Sequence, residues 1–175
     1  MSHEVVLVSA CLLGKKCRYD GSSNPSDQLS ALAGDREVVA VCPEEMGGLG
    51  TPRLAACLDG KAADIIAGKG QVVDCSGGDV TEAFLNGARK TTAITKTHHV
   101  TLAILKERSP SCGVCQVYEQ GILAGGRGVT TEMLVRQGNP CSGPGSTQTI
   151  NISEYDESWQ KLPSEHKNRE WRTIA

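Results

Sequence analysis

"HVTLAILKERSPSCGVC", residues 99–115, joins two kinds of sequence. Residues 100–105 form a continuous apolar run, too short for a helix, that predicts a strand buried on both faces. Two serines, a proline and the cysteines at 112 and 115 follow. A strand needs a stop signal, but a stop signal needs no thiols. The pattern recurs twice: "VVLVSACLLG" (5–14) ends an apolar run at Cys11, and "EVVAVCPEEMGG" (37–48) ends another at Cys42. Three short buried strands separated by helix-bearing connections predict βα crossovers and a mainly parallel sheet. The expected fold is α/β, a Rossmann-like sheet with flanking helices. Ligands of such sheets bind at the carboxyl ends of the strands. Cys11, Cys42 and Cys112 lie at those ends or just past them, so they are expected to converge on one metal centre.

Composition narrows the setting. Of 175 residues, 39% are hydrophobic and 22% charged, with a net charge of −2. That balance argues against nucleic acid as a partner, which needs a basic face. Aromatics are only 3% of the chain, which argues against the base-stacking platforms of single-strand binders. "MSHEVVLVSACLLG" has no basic n-region and too short an apolar stretch for a signal peptide, and no run reaches the roughly 20 apolar residues of a membrane span. The expectation is a cytoplasmic protein without membrane contact. There thiols stay reduced, so eight cysteines point to metal or thiol chemistry and not to a disulfide framework. Residues 1–145 are expected to form one cluster-binding domain and 146–175 a polar tail.

The remaining punctuation predicts a short helix over 26–34, capped by Ser26 or Asp27 and stopped by Gly34. "CPEEMGGLGTPR" (42–53) is expected as a turning loop. Strands are expected near residues 53–59 and 71–74, as an antiparallel excursion. "DVTEAFLNGARKTTAITKTHH" (79–99) is the strongest helix, with Asp79 and Glu82 in a capping pattern and His98 and His99 near its end. A hairpin is expected in "QVYEQGILAGG" (116–126), then a helix capped by Thr130 and stopped by Gly138.

Thiolates select zinc, copper(I) or iron–sulfur clusters. Structural zinc favours paired short spacings, and here only Cys112-x-x-Cys115 resembles a knuckle. A redox dithiol would sit at a helix N-terminus, whereas the residues after Cys115 look extended. A cuboidal cluster on three cysteines would leave one iron without a protein ligand, open to a substrate atom. Glu44 and Glu45 follow Cys42 directly, and such a carboxylate suits general acid–base work; a solvated loop position is the alternative, favoured for Glu45. Ser109 and Ser111 suit hydrogen bonding to substrate or cluster sulfur, and equally turn capping. Cys57 and Cys141 read as well as small buried hydrophobes. A cluster-dependent hydro-lyase and a zinc-stabilised binding module stay open as alternatives.

In order along the chain, "VSACLLG" (8–14), "RYDG" (18–21), "CPEEMGGLGTPR" (42–53), "DVTEAFLNGA" (79–88) and "KERSPSCG" (106–113) together resemble the thiouracil desulfidases. The similarity runs over about residues 5–138. The resemblance implies an oxygen-sensitive [4Fe-4S] cluster held by three cysteines, matching Cys11, Cys42 and Cys112, with one iron not bound by protein. It implies a small thiolated pyrimidine as substrate: 2-thiouracil or 4-thiouracil gives uracil and hydrogen sulfide without net redox change, the sulfur being taken up by the open iron. By the same matching Glu44 is the proton shuttle, Ser109 and Ser111 orient the base, and Asp20 and Arg53 fall in motif positions as substrate-binding candidates. Cys17 departs from the pattern, Cys115 lies outside it, and Cys75 is a possible fourth ligand that would close the open iron.

Overall fold

The computed structural model describes residues 4–137 and the backbone of 148–151. Four strands form a parallel sheet in the order β2-β1-β5-β8: β1 (Val5–Ser9), β2 (Glu37–Val41), β5 (Val100–Leu105) and β8 (Gln148–Asn151). The centre is β1, buried at all five positions. Its side chains alternate between faces, as strand geometry requires. Val6 and Val8 join Val38, Ala40 and Ile104 under helix α1 (Leu29–Ala33). Val5 and Leu7 join Val39, Val41 and Leu105 with Leu134 of helix α5 (Val129–Gln137) on the other face. Strands apolar on both sides are what a sheet covered on both faces demands. The chain leaves β1 toward β2 and returns on the other side as β5, so the connection reverses direction between β1 and β5. A crevice opens at the carboxyl ends of strands at such a reversal.

A second sheet has the order β4-β3-β6-β7. Strands β3 (Ala56–Asp59) and β4 (Gln71–Asp74) pair antiparallel, as expected. Strands β6 (Gln116–Glu119) and β7 (Ile122–Gly125) form the expected hairpin. It turns through Gln120 and Gly121, both at positive φ, the geometry that two-residue hairpin loops favour. Helix α3 (Ala62–Ile66) and the long helix α4 (Thr81–Thr97) cover this sheet through Ala62, Ile65, Phe84 and Ala88.

Several local expectations are corrected. The segment after Cys42 is a helical turn, α2 (Pro43–Met46), because Pro43 at the first position fits a helix start as well as it ends a strand. Neither Ser26 nor Asp27 caps α1, whose N-cap position is Gln28, although Gly34 does end it. Thr130 lies inside the first turn of α5 and is buried there. At α4 the Asp79 carboxylate accepts the Thr81 N–H at 2.9 Å, while Glu82 pairs with Arg89 and closes no capping box. Strand β8 and helix α3 were not expected. Gly138, Cys141 and the tail beyond 151 lie outside the described residues.

Helix α2 seats on α4 backbone to backbone. A Cβ on Gly87 would stand 1.9 Å from the Pro43 carbonyl oxygen, and one on Gly47 would stand 1.9 Å from that of Ala83. Glycine is required at both for steric reasons, and the contact fixes the turn that follows Cys42.

Candidate metal centre

A cavity of about 690 Å³ lies between the carboxyl rim of the parallel sheet and a face of the second sheet. Its volume is within the range of about 300–1,000 Å³ usual for small-molecule sites. Cys11 reaches it from a tight 3₁₀ turn (Ala10–Leu13) directly after β1, and Cys42 from the junction of β2 and α2. Cys112 enters from the loop that follows β5. The three cysteines expected to converge therefore line one cavity, at the ends of three neighbouring strands. Cys17 joins them. It is buried, its side chain hydrogen-bonds with those of Cys11 and Cys42, and its carbonyl accepts from Cys42 Sγ at 3.7 Å. Cys57 and Cys75 line the cavity from the second sheet; Cys115 does not.

The thiols of Cys17, Cys42 and Cys112 are held protonated. Burial pushes Cys112 up to about 12, against the hydroxyls of Ser9 and Ser109. The hydrogen bond with Cys11 raises Cys17 to about 11, against an opposing bond with Cys42, and burial adds to the rise. The bond with Cys17, and then burial, raise Cys42 strongly. A metal among them would reverse this, since a coordinating thiol is deprotonated outright. The donor set is soft. Among the described residues, no group of three or more His, Cys, Asp and Glu is arranged to hold a single metal ion. A polynuclear cluster suits this spacing better than zinc, because its thiolates bind different irons.

Glu44 lines the cavity and is gripped by Arg53. Nη2 and Nε of Arg53 reach Glu44 Oε2 at 2.6 and 2.7 Å, with both side chains largely buried. The rest of the guanidinium donates to the carbonyls of Cys17 and Gly50 and to Thr51 Oγ1. All five Arg53 N–H groups are thus engaged, while Glu44 Oε1 receives no hydrogen bond from the described residues. Glu45 is no solvated loop residue: burial works against ionisation, but Thr51 and Lys15 more than offset it and hold the carboxyl below its ordinary value.

Ser109 lines the cavity, and its Oγ accepts the N–H groups of Ser111 and Cys112 at 3.2 and 3.1 Å, which shapes the cysteine loop. Ser111 is buried beside Cys112 and is not among the lining residues, and its Oγ has no partner among the described residues. Asp20 is exposed and outside the lining, and its carboxylate binds Ser22 at N and Oγ, closing its own turn.

Glu107 and Lys106 are among the lining residues that sequence reasoning missed. Glu107 is buried, and its Oε1 accepts the N–H groups of Val114, Cys115 and Gln116 at 3.1, 3.0 and 2.6 Å, so one carboxylate organises the far side of the Cys112 loop. Lys106 is half-buried, and desolvation lowers its pKa. Nothing in "KER" marks these side chains as turned inward.

Comparison with known proteins gives the chain relatives. Residues 6–142 match the 2-thiouracil desulfurase family. An uncharacterized protein, YbbK of Bacillus subtilis (strain 168), is 41% identical over 139 residues, covering 77% of this chain and 91% of its own. The solved structure of the [4Fe-4S]-dependent thiouracil desulfidase TudS superposes with a TM-score of 0.70 at 37% identity, covering 86% of this chain and 92% of the other.

Proposed function

The chain belongs to the 2-thiouracil desulfurase family, and from that premise we propose that it hydrolyses the C–S bond of a thiolated uracil, giving uracil and hydrogen sulfide. The observation that carries the reading is the arrival of Cys11, Cys42 and Cys112 in one cavity beside Glu44. These three thiols would hold a [4Fe-4S] cluster. When bound, the cluster supplies a Lewis-acidic iron with a position left open to soft sulfur.

The chain's own groups supply the rest. One water adds oxygen at the ring carbon, the sulfur leaves with two protons, and no electrons are gained or lost. Glu44 is the group to carry protons. Its Oε2 is anchored by Arg53, and its Oε1 has no donor among the described residues, so it can meet a water or a ring nitrogen. Arg53 is a positioning residue that acts through Glu44. Ser109 and Glu107 fix the Cys112 loop from its two sides. The second sheet forms the wall of the cavity opposite Cys11, Cys42 and Cys112.

The seven described cysteines form no disulfide with one another, which suits a reducing, cytoplasmic setting, and among the described residues no helix is long and apolar enough to cross a membrane. The test is anaerobic purification followed by assay. Brown protein carrying about four iron and four sulfide per chain, and releasing sulfide and uracil in equal amounts from 2- or 4-thiouracil, supports the reading. Colourless protein holding one zinc, or brown protein inert to both substrates, contradicts it.

A further inference from the structure

The chain has six aromatic residues, of which Tyr19, Phe84 and Tyr118 are described. Phe84 is core. The other two both line the one cavity that carries the thiols. Tyr19 comes from the loop after Cys17, and its backbone is tied down by the Arg53 N–H at 2.8 Å. Tyr118 comes from β6, in the wall opposite the cysteine rim. Burial of apolar surface would favour packing such rings away, yet they stand 43% and 41% exposed. Neither phenolic hydroxyl has a hydrogen-bond partner among the described residues, so no hydrogen bond of the phenols accounts for their position.

The Arg18 guanidinium lies over one side of the Tyr19 ring, 6.0 Å from its centroid, and exposed rings in the wall of a cavity suit a flat π-system. We propose that Tyr19 and Tyr118 form the platform that receives the pyrimidine ring, stacking on the base while its C–S bond faces Cys11, Cys42 and Cys112. The proposal rests on the desulfidase reading and adds to it how a free heterocycle is held. Several polar groups of the site are already committed: Arg53 to Glu44, Ser109 to its own loop and Glu107 Oε1 to backbone N–H groups. Stacking supplies binding energy without drawing on them. It also confers a preference. A planar aromatic heterocycle is held, whereas an aliphatic thioamide or thiourea with the same reactive C–S group finds no face to rest on.

Base–aromatic stacking is worth roughly five- to a hundredfold in binding per ring. The experiment uses reconstituted holoenzyme as wild type, Tyr19→Ala, Tyr118→Ala, the double variant and the two Tyr→Phe variants. Iron and sulfide content and the visible spectrum establish that the cluster is intact in each. Steady-state kinetics with 4-thiouracil then separate KM from kcat, and calorimetry gives the affinity for uracil, which has no sulfur to lose. The expected result is a rise of about tenfold or more in KM and in uracil Kd for each alanine variant, a small change in kcat, and near-wild-type values for both phenylalanine variants. Active wild type matched by its alanine variants in KM and uracil affinity overturns the platform alone. Phenylalanine variants as weak as the alanine ones also overturn it, because the hydroxyl and not the ring would then matter. A wild type that neither releases sulfide nor binds uracil overturns the desulfidase reading and the platform with it.

Discussion

Gly87→Ala is the most informative single substitution outside the cavity. Gly87 lies in the interior of α4, where replacing glycine by alanine ordinarily stabilises a helix by about 1 kcal/mol. Here the new Cβ would stand 1.9 Å from the Pro43 carbonyl oxygen, where ordinary contact begins at 3.4 Å. Helix α2 must therefore retreat by about 1.5 Å. The obstacle is backbone and cannot turn aside as a side chain would. Overpacking of this kind costs about 1–3 kcal/mol, and two apposed backbones belong at or above the top of that range. We expect a net loss of about 2 kcal/mol, or roughly 4–8 °C in thermal midpoint for a chain of this size. The retreating turn carries Glu44 and directly follows Cys42. A displacement of about 1 Å in a catalytic group can cost a hundredfold in rate, so kcat for sulfide release should fall by about that factor even in molecules that keep their cluster. Anaerobic melts, iron analysis and kcat per cluster separate the two effects. A Gly87→Ala protein that melts above wild type and turns over normally would show that the α2–α4 contact does not place the site.

Other expectations follow from single contacts. Arg53→Ala leaves the largely buried Glu44 carboxylate without its counter-ion and should cost about 3–5 kcal/mol, read from denaturant unfolding, with Arg53→Lys between it and wild type. Glu107→Ala frees three backbone N–H groups of the Cys112 loop; it should lower iron retention on gel filtration, and Glu107→Gln should restore part of it. Cys11→Ser, Cys42→Ser and Cys112→Ser should each abolish cluster assembly, while Cys115→Ser, outside the cavity, should leave iron content unchanged. Hydrogen bonds from Thr81, its hydroxyl and then its N–H, hold the Asp79 carboxyl below its ordinary value, so its contribution is present above about pH 3.8 and lost as pH falls through the lower folded value. Asp79→Ala should therefore melt below wild type at pH 7, and the gap should close on acidification toward pH 3.

Much of the parallel sheet was legible because its strands carry Val, Leu and Ile on both faces, a pattern that only burial on both sides explains. The convergence of three cysteines was legible for the same reason, since adjacent strands of a parallel sheet end on one rim. The short helices were not. Four or five residues of α2 or α3 carry too little periodicity to register, and the glycine contacts that seat α2 depend on partners far along the chain, Gly87 against Pro43 and Gly47 against Ala83. Strand β8 sits in polar sequence, where pairing with β5 and not composition makes the strand. Arg53 and Glu44 were each visible as motif residues, but their ion pair was not. Glu107 reads as an ordinary surface acid until three N–H groups are found pointing at it. Asp20, conspicuous in "RYDG", is used by its own turn with Ser22.

The most direct test of the central claim is Mössbauer spectroscopy of ⁵⁷Fe-reconstituted protein, recorded with and without thiouracil. If Cys11, Cys42 and Cys112 hold a four-iron cluster with one corner free of protein, about one iron site in four changes its parameters on adding substrate while the other three do not. Four sites that ignore the substrate, or iron that loads equally well into Cys112→Ser protein, would contradict it.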